Sequence, residues 1–382
     1  MKSLLKYAMV MENHKPYIAM LFVQLIYAGM ALFAKAAISK GMNPYVFVVY
    51  RQAFATIMLA PFAFFFESKQ TSLSYNLIWK IFLISLFGLT LSLNLYSVAI
   101  KYTTATFAAA STNTIPVLTI IIAVCLRTES VSVRKLPGFA KVLGSVTSLS
   151  GALVFAFFKG PVINFMNWYP STHNHQTTDS VIKNHSVGEW IKGCLIMLSA
   201  NTAWSMWLVL QGRIVKQYPA KLRLTALQCF FSCIQSAIWA IAAERNPSAW
   251  KLGWDVHLLA VLYCGVIVAG ITYWLQVWTI EKKGPVFTAI FTPLALVITA
   301  IFSAFLWKET LHWGSVAGVV LLVGGLYSVL WGKKKEEGER VRNEENIDSN
   351  KEEIVLECIT RQFKLFLASV TLTKLGMRVD DL

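Results

Sequence analysis

EKKGPVFTAIFTPLALVITAIFSAFLWKETL, residues 281–311, repeats KYTTATFAAASTNTIPVLTIIIAVCLRTESV, residues 101–131, without a gap at an offset of 180. Phe107 meets Phe287, Ala109 meets Ala289 and Thr112 meets Thr292. Thr119 then meets Thr299, Leu126 meets Leu306 and Glu129 meets Glu309. Further on, at an offset of 174, Gly144, Gly151 and Lys159 meet Gly318, Gly325 and Lys333. An ungapped run with its glutamates in register marks a duplicated unit rather than a chance likeness of two apolar stretches.

The unit's size follows from the apolar runs, near 17–39, 44–66, 77–100, 103–126, 136–158, 190–210, 222–243, 257–280, 285–307 and 313–331. Each is about the 20 residues that cross a bilayer. The runs are continuous and do not alternate, so they read as helices, which satisfy their own backbone in lipid, and not as barrel strands. The boundaries are thinnest at Lys101-Tyr102 and at Glu281-Lys282-Lys283-Gly284. Ten spans and one duplication give five per copy, and an odd number sends the second copy into the membrane from the other side. The predicted fold is therefore all-α and integral to the membrane, ten transmembrane helices as two inverted five-helix repeats. The expected divisions are a cytosolic N-terminus (1–15), a first repeat (16–158), an extracytosolic loop (159–189), a second repeat (190–332) and a cytosolic tail (333–382).

Composition agrees. The chain of 382 residues is 56% hydrophobic and only 14% charged, with a mean hydropathy of +0.55, the profile of a protein solvated by lipid. The net charge of +15 would suggest nucleic acid in a soluble protein. Here the charges sit at the ends of apolar runs, where they anchor to headgroups and set topology, so no nucleic-acid partner is expected. With the N-terminus inside, 18 Lys and Arg fall in cytosolic segments and eight on the other side, which puts both termini in the cytosol. The run after His14-Lys15-Pro16 is too long for a signal peptide and reads as a retained first helix. The loop carries Asn184-His185-Ser186, a glycosylation sequon at Asn184 on the outer side. The six cysteines form no CxxC pair or secreted framework and read as reduced packing residues.

Arg51 is the deepest charge. Pro44 begins the second span, so Arg51 lies seven residues in, roughly 10 Å down at 1.5 Å per residue. An arginine near the midplane must face protein or water. One reading gives its guanidinium a substrate carboxylate, for which the fork geometry is suited. The other has it snorkel to headgroups or bond helix carbonyls. No Asp, Glu or His lies deep in any span, so the usual proton relay of coupled carriers is missing, which favours facilitated diffusion or coupling through a less usual group. The other buried polar candidates are neutral: Gln52, Gln24, Asn94, Asn113, Asn201, Gln228, Gln235, Gln276 and Thr292, each read either as interhelical glue or as a ligand contact. Asn113 with Pro116, and Thr292 with Pro293, stand mid-span in repeat-related helices, where proline frees a carbonyl that can serve a substrate. Trp204, mid-span beside Trp207, can stack on an aromatic or apolar solute or simply pack. Gly144 and Gly151 on the fifth helix and Gly318 and Gly325 on the tenth permit close backbone approach, as a scaffold or as a homodimer contact. No cofactor or metal site is expected; no HExxH, GxSxG, P-loop or Cys/His cluster occurs, which argues against an enzyme.

Several stretches carry a family likeness: KPYIAM (15–20), GMNPYVFVVYRQAFATIMLAPFAFF (41–65), SLNLYSVAIKYTTATFAAA (92–110), SLSGALVFAFFKGP (148–161), PSAWKLGWD (247–255), EKKGPVFTAIFTPL (281–294) and GGLYSVLWGKK (324–334). They resemble the plant nodulin-like, Walls-Are-Thin-related proteins, also called the Usually Multiple Acids Move In and Out group, of the EamA-like drug/metabolite transporter superfamily. The likeness covers about residues 15–335. It implies two EamA repeats and transport of small organic solutes, amino acids or auxin-like acids, across the plasma or vacuolar membrane, and it places Arg51 and Gln52 in a matching motif. Two departures stand out: MKSLLKYAMV precedes Met11, where the family-like chain begins, and the ending after Glu357 is less polar than usual, with an apolar stretch too short for an eleventh span. The sequence thus predicts a carrier working by alternating access; a receptor or scaffold that binds a small ligand without flux is the alternative.

Overall fold

The computed structural model describes residues 2–67, 74–103, 110–128, 135–158, 187–253, 255–307 and 313–374. Among these are ten long helical elements and no strand. α1 is Lys2–Ser39 and α2 is Pro44–Phe66. α3 spans 75–102 as Tyr75–Ile84, a π-helical Ser85–Thr90 and Leu91–Tyr102. α4 is Thr112–Cys125, opening with a 3-10 turn, and α5 is Leu136–Phe157. α6 is Val187–Gln217 and α7 is Lys221–Ala243. α8 is Val256–Lys283, π-helical over Tyr263–Thr272. α9 is broken into Pro285–Ile290 and Thr292–Trp307, and α10 runs Trp313–Lys374. Seven helices among the described residues are long and apolar enough to cross a membrane by length and composition, and the apolar parts of α4 and α9 are shorter.

Local chemistry sets the punctuation. Asn43 caps α2 by accepting the Tyr45 amide at 2.9 Å, with Pro44 at the first helical position. Asp255 caps α8 by accepting the His257 amide at 3.0 Å. The thin boundary between α8 and α9 works because Gly284 takes φ 86°, a conformation costly for other residues, directly before Pro285. α10 differs from expectation, because it does not stop where the apolar run stops. KKKEEGERVRNEEN is made largely of good helix formers without proline, so the helix carries on through the tail as far as Lys374. The loop with Asn184, and Glu129, Lys159 and Glu309 of the repeat, lie outside the described residues.

The packing has an internal two-fold symmetry. α2 packs on α7 and α5 on α10, each a pair of repeat mates. α3 on α6 is matched by α8 on α1, α4 on α6 by α9 on α1, and α2 on α8 by α7 on α3. The π segments obey it too: Ser85–Thr90 shifted by 180 is 265–270, inside Tyr263–Thr272. Each π turn inserts an extra residue that re-aims the side chains after it, and such turns gather at functional sites.

The glycine faces meet inside the chain. A Cβ at Gly144 would lie 2.6 Å from the Gly325 carbonyl oxygen, and one at Gly151 2.7 Å from the Leu322 amide nitrogen. Gly318 and Gly325 return the same contacts against Gly151 and Gly144. Within the chain this face serves as a scaffold contact between α5 and α10. Lys141 and Glu336 pair across the same two helices.

α2 and α7, both 23 residues long, run antiparallel and are tied at both ends by repeat-related carboxylates, since 67 plus 177 is 244. Glu67 accepts the amides of Leu222 at 3.2 Å and Arg223 at 2.9 Å, capping α7. At the other end Glu244 accepts from Asn43 Nδ2 at 2.6 Å. Glu67→Ala exposes two orphan amides in the first turn of α7, a loss of about 1 kcal/mol. Thermal unfolding of the purified protein in detergent is expected to show a Tm lower by about 1–3 °C, and an unchanged Tm would mean that Glu67 is not the cap.

Candidate substrate site

Arg51 is buried, 6% exposed. α8 comes close beside it because position 265 is glycine: a Cβ there would lie 2.8 Å from the Arg51 carbonyl oxygen. That approach brings Tyr273 to the guanidinium. Arg51 Nη2 donates to the Tyr273 hydroxyl at 2.9 Å, and the guanidinium carbon lies 5.7 Å from the centre of the same ring. Ion pairs form elsewhere, at Lys141 with Glu336 and Lys221 with Glu281, and Arg51 Nε has no hydrogen-bond partner among the described residues. The side chain therefore neither snorkels nor bonds helix carbonyls; it is a buried cation held by one neutral hydroxyl.

Around it the structure collects residues that the sequence singled out one by one. Trp204 and Trp207 of α6 stack with Tyr273 into a three-ring cluster, with centroid separations of 5.1, 5.8 and 5.7 Å. Trp207 seats against α3 because Gly88 of the π turn leaves room, a Cβ there falling 2.6 Å from Trp207 Cβ. Tyr27 of α1 brings a buried hydroxyl beside Thr272 and Gln276, without a hydrogen bond of ordinary geometry. Gln24, buried, lies three residues before Tyr27 and so shares its helix face. Gln276 is buried with its Oε1 unpartnered.

Gln52 turns the other way, into a neutral polar seam. It donates to Ser232 Oγ at 2.9 Å, Thr90 bridges Ser232 at 3.0 Å and Gln235 Oε1 at 2.7 Å, and Asn94 donates to the Thr90 carbonyl at 2.8 Å and Ser236 Oγ at 3.2 Å. This seam locks the π turn of α3 onto α7, as interhelical hydrogen bonds do in lipid.

Asn113 and Thr292 stand at helix breaks, and Asn201 of α6 packs against the first of them. Asn201 donates to the Ser111 carbonyl at 2.7 Å and to Thr114 Oγ1 at 3.2 Å, fastening α6 to the start of α4. Asn113 donates to the Ala110 carbonyl at 3.0 Å. The carbonyl that Pro116 leaves open, that of Thr112, receives the Ile115 amide in the 3-10 turn, and the Ile115 carbonyl takes Thr119 at 2.7 Å and Ser205 at 3.3 Å. Proline there reshapes the helix, and the protein itself uses the carbonyls. Thr292 is half-buried at the first position of the second piece of α9, after the break at Phe291.

Sequence reading missed Tyr273, Tyr27, Thr90 and Ser232. The signal for the tyrosines was their depth: a mid-span Tyr hydroxyl lies far from the interface where it would find water, so it must face a polar partner inside the protein.

Among the described residues, then, Arg51 is buried without a carboxylate partner, beside an aromatic cluster. Comparison decides the family. The sequence profile of the EamA-like transporter family matches residues 14–157 and again residues 191–331. The chain belongs to this family. It is 58% identical to one WAT1-related protein of Arabidopsis thaliana, over 86% of this chain and 94% of the other, and 46% identical to a second, over 91% and 98%. A solved crystal structure of a protein superposes with a TM-score of 0.63 at 16% identity, covering 82% of this chain and 96% of that one, a likeness of fold alone. As an EamA-like family member the chain is a multi-pass membrane transporter.

Proposed function

We propose that the protein is a passive, bidirectional or export-type carrier of small organic solutes bearing a carboxylate, amino acids or auxin-like acids, across the plasma or vacuolar membrane with both termini in the cytosol. The observation that carries this is Arg51. An arginine taken out of water loses its hydration, and one hydrogen bond to a neutral hydroxyl does not replace it. A carboxylate arriving at Nε and the free edge of the guanidinium supplies both charge and two acceptors. The rings of Trp204, Trp207 and Tyr273 offer apolar faces for the rest of the solute. The buried polar groups near Arg51, the Tyr273 and Tyr27 hydroxyls and Gln276, are neutral, which supports movement down the solute gradient without proton coupling.

The test is uptake and efflux of labelled amino acids and indole-3-acetate in proteoliposomes, with and without an imposed pH gradient. Saturable flux that survives collapse of the gradient is expected. Flux that vanishes with the gradient would make the carrier proton-coupled and overturn the passive reading, and binding without flux would make the chain a receptor.

A further inference from the structure

The inverted repeat gives Arg51 a mate. α2 and α7 have equal length and begin at 44 and 221, an offset of 177, so position 51 corresponds to 228, which is glutamine. The structure keeps this equivalence in its contacts. The Arg51 carbonyl faces Gly265 in the π segment of α8. The Gln228 carbonyl accepts from Ser85 Oγ at 2.8 Å, and Ser85 is the mate of Gly265 at the offset of 180. Both side chains also reach the same aromatic cluster, Arg51 through the Tyr273 hydroxyl and Gln228 through Trp207 Nε1 at 3.4 Å, with the two rings 5.7 Å apart.

Each mate leads to an unpartnered buried N–H donor. On one side it is Arg51 Nε. On the other, Gln228 Nε2 donates to Gln211 Oε1 at 2.7 Å, and Gln211 Nε2, fully buried, has no partner. Both glutamine side chains are 1% exposed or less, so the orphan donor does not face solvent. A buried amide donor left empty is costly, and a mobile acceptor is what would fill it. Measured along α2 and α7, the mates lie roughly 10 Å from opposite helix ends and so about 13 Å apart, at 1.5 Å per residue.

We propose that Gln228 and Gln211 form a second carboxylate station, the neutral counterpart of Arg51, and that the solute occupies the two in turn as the halves exchange. This rests on the carrier reading above. A guanidinium holds a carboxylate more tightly than an amide does, so the station near the Asn43 end of α2 is the high-affinity one, and the station near the Glu67 end is where the solute leaves or enters at low affinity. The amide at 228 thereby determines the difference in KM between the two faces.

The experiment uses full-length protein in proteoliposomes of uniform orientation, with indole-3-acetate as the probe and KM measured from each face. Gln228→Leu, neutral and close in size, is expected to raise KM at least ten-fold on the Glu67 face, with Vmax/KM equal on the two faces as a passive carrier requires. The exchange Arg51→Gln with Gln228→Arg is expected to recover at least ten-fold of the flux lost in Arg51→Gln alone, with the high-affinity face reversed. Melting temperatures within a few degrees of wild type identify the folded variants. A folded Gln228→Leu with wild-type KM on both faces overturns the second station. If Arg51→Gln has lost flux in the same experiment, the carrier reading stands without it, whereas absence of saturable wild-type flux removes both.

Discussion

Arg51→Gln is expected to lower Vmax/KM for indole-3-acetate ten-fold to one hundred-fold, with the melting temperature within a few degrees of wild type. Hydrogen bonds to charged groups contribute about 1.5–3 kcal/mol, and 1.4 kcal/mol is ten-fold in affinity. Stability should hold, because the one hydrogen bond lost, to the Tyr273 hydroxyl at 2.9 Å, is offset by removing the cost of keeping a cation in a low-dielectric interior. Arg51→Lys should recover little of the flux, since an ammonium presents no planar fork to a carboxylate. Flux assays and thermal unfolding on the same preparations decide the matter: full flux in a folded Arg51→Gln would return this residue to a structural role, and a collapse in melting temperature would show that it braces α2 against α8.

The second large effect is at the α5–α10 contact. Gly144→Leu or Gly151→Leu is expected to abolish recovery of monodisperse protein or to lower its melting temperature by about 10 °C or more. Overpacking a core commonly costs about 1–3 kcal/mol, and here the obstacle is backbone, which cannot rotate aside. At Gly144 the Gly325 carbonyl oxygen lies 2.6 Å from the first added carbon, and at Gly151 the Leu322 amide nitrogen lies 2.7 Å away. Gly324→Leu on α10, the partner helix, is the control, because nothing lies within 4 Å of a Cβ there. Size-exclusion profiles and melting curves of the three variants test the claim. Equal behaviour of all three would mean that α5 and α10 do not pack closely along this face.

The helix count, the duplication and its inversion were all legible in the chain. They depend on apolar length and on an odd number of spans, which the bilayer imposes on any sequence. The glycines at 144, 151, 318 and 325 were legible because close approach has a local signature, but the partner was not: only packing shows each pair meeting inside one chain. Arg51 stood out because a charge deep in lipid is conspicuous wherever it points. Its surroundings did not. Tyr273, Tyr27 and Thr90 resemble many other residues in apolar runs, and what brings them to the site is helix rotation, re-aimed by π turns over Ser85–Thr90 and Tyr263–Thr272. Those turns have no sequence marker. The same holds for Asn113 and Pro116, which look like a substrate-facing break, whereas the neighbouring carbonyls of Thr112 and Ile115 are occupied from within.

The sequence by itself determined that this protein crosses the membrane as two inverted copies with one deep cation, because those properties follow from the energetics of single segments in lipid. The tertiary structure alone decided that the cation has a tyrosine and, among the described residues, no carboxylate for company, and that position 228 stands in its mirror place, because such relations depend on how ten helices rotate and settle against one another.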